Sequence, residues 1–272
     1  MRLAVGYFDG VHLGHQAILR GADRALTFRN HPLTLLAPEK APRLIMSLEE
    51  RLSAIGRPVE VLDFTPELAA MSPEQFAARY LRGCVVSCGA NWRFGCGGVG
   101  DGAWLRAHGY AVDVATSVEY AGATISSSRI RAALGRGDLA AANAMLGRPF
   151  AVSGRIVRGK GEGKALGYPT VNVVLRADMP EIPCGVYEVE VAGVRAIANY
   201  GHAPTFRDRC WPTPVLEIHF QPFNLDLQPF NPLALNLLRF IRPERKFDSV
   251  EDLKRQIAAD CASLQPSNPL TL

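Results

Sequence analysis

The pattern of apolar and polar positions changes character near the middle of the chain. In the first half, short apolar runs alternate with helical stretches. Leu3 to Val5 is an apolar run stopped by Gly6, which predicts a buried strand entering a turn. His15 to Ala25 reads as helix, Ala25 to Phe28 as strand, and His31-Pro32 as a break. Ser47 to Ile55 reads as a helix, because Ser47 followed three residues later by Glu50 makes a capping box. Val59 to Phe64 predicts a strand, and Ser72-Pro73-Glu74 opens a helix with a cap and a proline at its first position. Cys84 to Cys88 predicts a short buried strand, Ala103 to His108 a helix and Ala111 to Ala115 a strand. Two capped helices follow between Ser126 and Gly147, the second capped by Asp138. This alternation predicts an α/β fold with a parallel sheet covered on both faces.

Beyond Arg148-Pro149 the pattern is different. Val152 to Val157, Val186 to Val191, Arg195 to Asn199, Val215 to Phe220 and Leu233 to Phe240 are short β-like runs separated by Gly and Pro. They predict a small antiparallel β-barrel. Pro222, Pro229 and Pro232 argue against regular pairing between the last two runs. Ser249 to Leu264 predicts a closing amphipathic helix, and Gln265 to Leu272 a frayed tail. The domains expected are therefore 1–147 and 148–272.

Composition narrows the class. The 272 residues suit one large domain or two ordinary ones, and the net charge of +4 lacks the dense basic stripe of a nucleic-acid binder. That charge suits phosphate-bearing ligands, or it aids solubility alone. The six cysteines are scattered without a C-x-x-C pair, which predicts structural thiols in a reducing compartment. No signal peptide precedes the first motif and no apolar run approaches the ~18 residues of a membrane span, so a cytoplasmic protein without a membrane partner is expected. Oligomeric state is not legible.

Two motifs carry chemistry. Gly6-Tyr7-Phe8-Asp9-Gly10-Val11-His12-Leu13-Gly14-His15 follows a strand and opens a helix. His12 and His15 share one helical face, and Gly14 leaves room for a phosphate to approach the backbone. Two imidazoles there could stabilise charge on the phosphates of ATP; one core and one surface histidine, or a pair binding a divalent metal, are the other readings. Ser126-Ser127-Ser128-Arg129-Ile130-Arg131 places hydroxyls at a helix start, either as a plain N-cap or as a phosphate grip by Ser127, Ser128 and Arg131. In the second half, five glycines fall between 154 and 167, among them Gly154 and Gly161, with Lys160 and Lys164 interleaved. Such a loop cradles phosphates or is a flexible hairpin; it is not a Walker A motif. Thr170 and Asn172 lie on alternate positions, so in a strand both hard oxygens face one side, as Mg²⁺ beside phosphates requires; turn capping is their other role.

These segments, with Thr27-Phe28, His31-Pro32 and Asn91-Trp92-Arg93-Phe94-Gly95, resemble the prokaryotic bifunctional riboflavin kinase/FMN adenylyltransferase (FAD synthetase) family. The second half resembles the kinase part through Gly167 to Asn172, Gly185-Val186-Tyr187, Asn199 to Phe206, Leu216-Glu217-Ile218-His219 and Phe240 to Phe247. The resemblance implies a doubly wound nucleotidyltransferase-like sheet followed by a riboflavin kinase-like barrel. It implies riboflavin, FMN, FAD and ATP as ligands and Mg²⁺ as cofactor. His12 and His15 would act on the ATP phosphates, with Gly6, Phe8, Asp9, Gly14 and Asn91 around the nucleotide or the FMN. Glu217 would be the general base of the kinase; Arg242 and Phe247 would lie near the flavin. The 11 residues between His15 and Thr27 are fewer than the family generally has, which predicts a shortened helix flanking the sheet. A kinase with a degenerate first domain is the alternative, and a non-enzymatic flavin or nucleotide binder a third reading.

Overall fold

The computed structural model describes residues 1–157, 168–201, 214–220 and 232–264. The chain divides into two compact units: Met1–Ile130 with Met145–Gly147, and Arg131–Ala144 with Arg148–Leu272.

The first unit is built on five parallel strands, β1 (Arg2–Val5), β2 (Arg24–Phe28), β3 (Val59–Leu62), β4 (Val85–Gly89) and β5 (Ala111–Ala115), in the order β3-β2-β1-β4-β5. Alternate residues of β1 face opposite cores. Leu3 and Val5 pack with Leu26, Val86, Phe76 and Leu105, whereas Ala4 packs with Ala25, Phe8, Leu19 and Ile55. A strand buried on both faces loses its polar alternation, which is why these runs read as continuous apolar segments. The chain leaves β1 toward β2 and β3, then returns to β4 on the other side of β1. That reversal makes a crevice at the carboxyl ends of β1 and β4. The edge strands carry Glu60 and Asp113, which pair with Arg24 and Arg2 respectively.

The helices in order are α1 (Leu13–Leu19), α2 (Leu33–Leu36), α3 (Leu48–Ile55), α4 (Pro66–Ala69), α5 (Pro73–Phe76), α6 (Gly102–Ala107), α7 (Ser127–Gly135), α8 (Leu139–Leu146) and α9 (Val250–Ala262). The expected capping box of Ser47 with Glu50 forms, and the Ser72 cap makes a second one with Gln75. The helix expected over His15 to Ala25 is shorter. Gly21 turns the chain at φ +70°, and Arg57 donates to the carbonyls of Leu19 and Ala22, which would otherwise continue the helix. A small hairpin, β6 (Glu119–Tyr120) with β7 (Ala123–Thr124), was not expected from the sequence; Arg129 holds it through the carbonyls of Tyr120 and Thr124.

The second unit is a closed antiparallel barrel of β8 (Phe150–Val157), β9 (Thr170–Leu175), β10 (Gly185–Val191), β11 (Val194–Gly201), β12 (Val215–Phe220) and β13 (Pro232–Pro243), in the order β10-β11-β12-β9-β8-β13. Val173, Leu216, Ile218, Ala198 and Val189 are buried in it. Pro232 pairs with Arg155, but only as the first residue of β13, where a proline is tolerated. Pro222 and Pro229 lie outside the described residues.

Candidate active sites

The residues after β1 form a buried turn with a costly backbone. Phe8 has φ +59° and Val11 φ +38°, both in the left-handed region that non-glycine residues avoid. Each such residue costs about 1–3 kcal/mol and persists only where its surroundings over-determine it. Phe8 is fully buried, its ring against Gly6 and edge-on to His15 at 5.5 Å, so its side chain belongs to the core. Asp9, expected at the nucleotide, accepts at its two carboxylate oxygens the backbone N–H groups of Ile45 and Met46, each at 3.2 Å.

His12 caps α1. Its Nδ1 accepts the backbone N–H of His15 at 3.2 Å, so in the neutral ring the proton sits on Nε2. The two imidazoles stack at 3.6 Å between centroids. A side chain on Gly14 would meet the His12 ring at 3.2 Å, so this glycine also makes room for the histidine. Burial pulls the pKa of His15 well below the ordinary imidazole value, with His12 and Arg51 adding to the effect. Ser127 donates its hydroxyl to the carbonyl of Asp9 at 2.8 Å, tying the start of α7 to the turn. Ser128 follows it, and Arg131 lies four residues along α7 from Ser127 and is counted with the second unit. Asn91 is exposed just past β4, and behind it Trp92 stacks on Phe94 at 4.7 Å. The crevice at the ends of β1 and β4 thus has the His12 turn on one side and Asn91 on the other.

Sequence reasoning passed over Arg51. It reads as an ordinary polar position of α3, yet it is 2% exposed. Its guanidinium donates to the carbonyl oxygens of Tyr7 at 2.7 Å and Phe28 at 2.6 Å and lies over the Tyr7 ring at 4.0 Å. Burial lowers its pKa, while Tyr7 and Asp9 oppose that shift. Only the tertiary fold brings these carbonyls together.

In the barrel, Glu217 on β12 lies in register between Asn172 on β9 and Asn199 on β11. Directly paired residues point to one face of a sheet, so the three form a polar row. Thr170 shares that face with Asn172, opposite His219. The Oδ1 of Asn172 is buried with no hydrogen-bond partner among the described residues. His219 places Nδ1 3.0 Å from the carbonyl of Pro169, so that nitrogen carries the proton. Gly154 lies in β8, where a side chain would meet the Val174 carbonyl at 2.5 Å; its glycine serves strand packing. Lys160 and Gly161 lie outside the described residues. Arg242 is gripped by both oxygens of Asp260 on α9, at 2.7 Å for the closest pair, with Phe247 5.9 Å from its guanidinium carbon. No group of three or more His, Cys, Asp or Glu residues suited to a metal occurs among the described residues.

Comparison with known proteins follows this division. An FAD synthetase family model matches residues 1–129, and a riboflavin kinase family model matches residues 146–267. The bifunctional riboflavin kinase/FMN adenylyltransferase of Escherichia coli (strain K12) is 34% identical over 288 residues, covering 95% of this chain and 90% of its own. Its counterpart in Bacillus subtilis (strain 168) is 33% identical over 286 residues, covering 95% and 89%. Among solved structures, a Streptococcus pneumoniae protein described as a macrolide-efflux protein superposes with a TM-score of 0.83 at 28% identity, covering 96% of this chain and 92% of that one. Efflux is that protein's description; among the described residues here, no helix is long and apolar enough to cross a membrane. Both domains are present, which favours two activities over a kinase alone. On the family matches and on relatives alike along nearly their whole length, this chain belongs to the bifunctional riboflavin kinase/FMN adenylyltransferase family.

Proposed function

We propose that the chain converts riboflavin to FMN and FMN to FAD, using ATP in each step. The observation that carries the kinase step is the polar row of Asn172, Glu217 and Asn199 across three barrel strands. Glu217 takes the proton from the 5′-hydroxyl of riboflavin as that oxygen attacks the γ-phosphorus; the bond from the γ-phosphorus to the bridging oxygen breaks and ADP leaves. Thr170 and Asn172 suit Mg²⁺, because both offer hard oxygens and the buried Asn172 Oδ1 has no partner among the described residues. Bound there, the ion would neutralise phosphate charge. Gly154 braces the barrel, Lys160 and Gly161 are the phosphate grip of the glycine loop, and Arg242 and Phe247 border the flavin.

In the first unit, a phosphate oxygen of FMN attacks the α-phosphorus of ATP and pyrophosphate leaves. The Nε2–H of His12 and the neutral ring of His15 donate to phosphate oxygens as charge moves onto them. Asn91, Ser127 and Ser128 complete the grip, and Gly6, Phe8, Asp9 and Gly14 give the turn its shape. Arg51 and the crevice at the topological switch support this reading.

A Glu217→Gln chain tests the assignment. Riboflavin phosphorylation is expected to fall by about 10²–10⁴-fold, the usual worth of a general base, while FAD formation from added FMN continues. FMN formation at the unsubstituted rate would refute the role of Glu217.

A further inference from the structure

Arg51 is the largest fully buried side chain of the described residues, at 2% exposure. We propose that Arg51 is a positioning residue for adenylyl transfer, locking the turn from Tyr7 to His12 in the shape that aims both histidines; this rests on the adenylyl-transfer reading of the first unit.

The two carbonyls it holds lie at the exits of different strands. Tyr7 follows β1 and Phe28 ends β2, so the planar fork joins the exits of two neighbouring strands. A third carbonyl, of Arg29, lies 3.5 Å from the same nitrogen as Phe28. The Thr27 hydroxyl also donates to the Tyr7 oxygen, at 3.1 Å, drawing that carbonyl toward β2. With the Tyr7 carbonyl fixed there, the chain reverses through left-handed backbone at Phe8 and Val11, neither of them glycine. A strained turn of this kind holds only when something outside it fixes its ends. The Arg51 fork does so at one end; the Asp9 carboxylate, bound to the Ile45 and Met46 amides, does so in the middle. Past the turn come His12 and His15, whose direction follows from it. Lysine cannot substitute: one ammonium on a flexible stem cannot bond two separated carbonyls in one plane while stacking on the Tyr7 ring.

The test uses the full chain with Arg51→Met and Arg51→Lys, assaying both reactions on the same preparation. Riboflavin phosphorylation reports the second unit and should stay within about twofold, since none of the bonds Arg51 makes reaches the barrel. FAD formation from FMN and ATP should lose about 10²-fold in kcat for Arg51→Met, the scale of a 1 Å misplacement, and about 10-fold for Arg51→Lys. KM for ATP should change by less than about threefold, because Arg51 positions donors without touching the nucleotide. A residue that only stabilised the fold would lower the folded fraction, read by circular dichroism, and leave kcat per folded molecule unchanged. Folded variants with the unsubstituted kcat would overturn the assignment, and if Arg51→Met does not fold, Arg51→Lys decides by the same criterion. Failure of the unsubstituted chain to make FAD from FMN would overturn the adenylyl-transfer reading and this assignment with it.

Discussion

His15 is a residue whose charge state is set by the fold. Burial is the main cause of its depressed pKa, with the neighbouring His12 and Arg51 next, so the ring meets neutral pH uncharged. The folded form therefore binds a proton less readily than the unfolded chain. Stability from this group is complete above the ordinary value of 6.5 and declines as pH falls below it. The urea midpoint of the first unit should drop between about pH 7 and pH 5, and His15→Gln should flatten that drop. An NMR titration placing the His15 ring at or above 6.5 would contradict this account. At this scale the sequence reveals the histidine pair through its spacing. It does not reveal which ring nitrogen of His12 is protonated, because that follows from the His15 backbone N–H. Nor does it reveal Arg51, whose partners are 23 and 44 residues away.

Elements are legible where their signals are local. Ser47, Ser72, Asp101 and Ser249 each accept a backbone N–H at a helix start, and of these Ser47 and Ser72 were readable as caps from composition and offset alone. The shortened α1 was visible as a deletion, but its end was not, because Arg57 reaches it from beyond α3. Gly154 shows the same limit. In sequence it opens a glycine-rich loop, whereas in the barrel it allows β8 to approach β9, with Val174 and Val173 atoms within 2.6 Å of where a side chain would begin. Gly154→Ala should therefore destabilise the barrel by about 1–3 kcal/mol through overpacking. Denaturant unfolding followed by riboflavin phosphorylation checks this, and FAD formation from FMN should be spared. Unchanged barrel stability would show that β8 and β9 can move apart at no cost.

The whole chain joins two units, and Arg131–Ala144 is counted with the second although the hydrophobic pattern changes only near Arg148. Barrel closure has no local signature, because it depends on β8 meeting β13 through partners 77 to 87 residues apart, from Arg155 with Pro232 to Phe150 with Leu237. Separate units predict separable chemistry. A mixture of Glu217→Gln chains and chains with both His12 and His15 replaced by Gln should make FAD from riboflavin, after a lag while FMN accumulates. Product chromatography reads this directly, and FAD confined to chains with both sites intact would mean that FMN never leaves the protein. Closure has a further consequence. The described barrel strands form a sheet that meets itself, so among them no row of unpaired backbone groups is left for another copy to extend. The parallel sheet keeps two rims, but both are short, and Glu60 and Asp113 set an ionic guard on each. Growth into fibrils by strand addition is thus discouraged in both halves by different means: one by having no margin, the other by charging it.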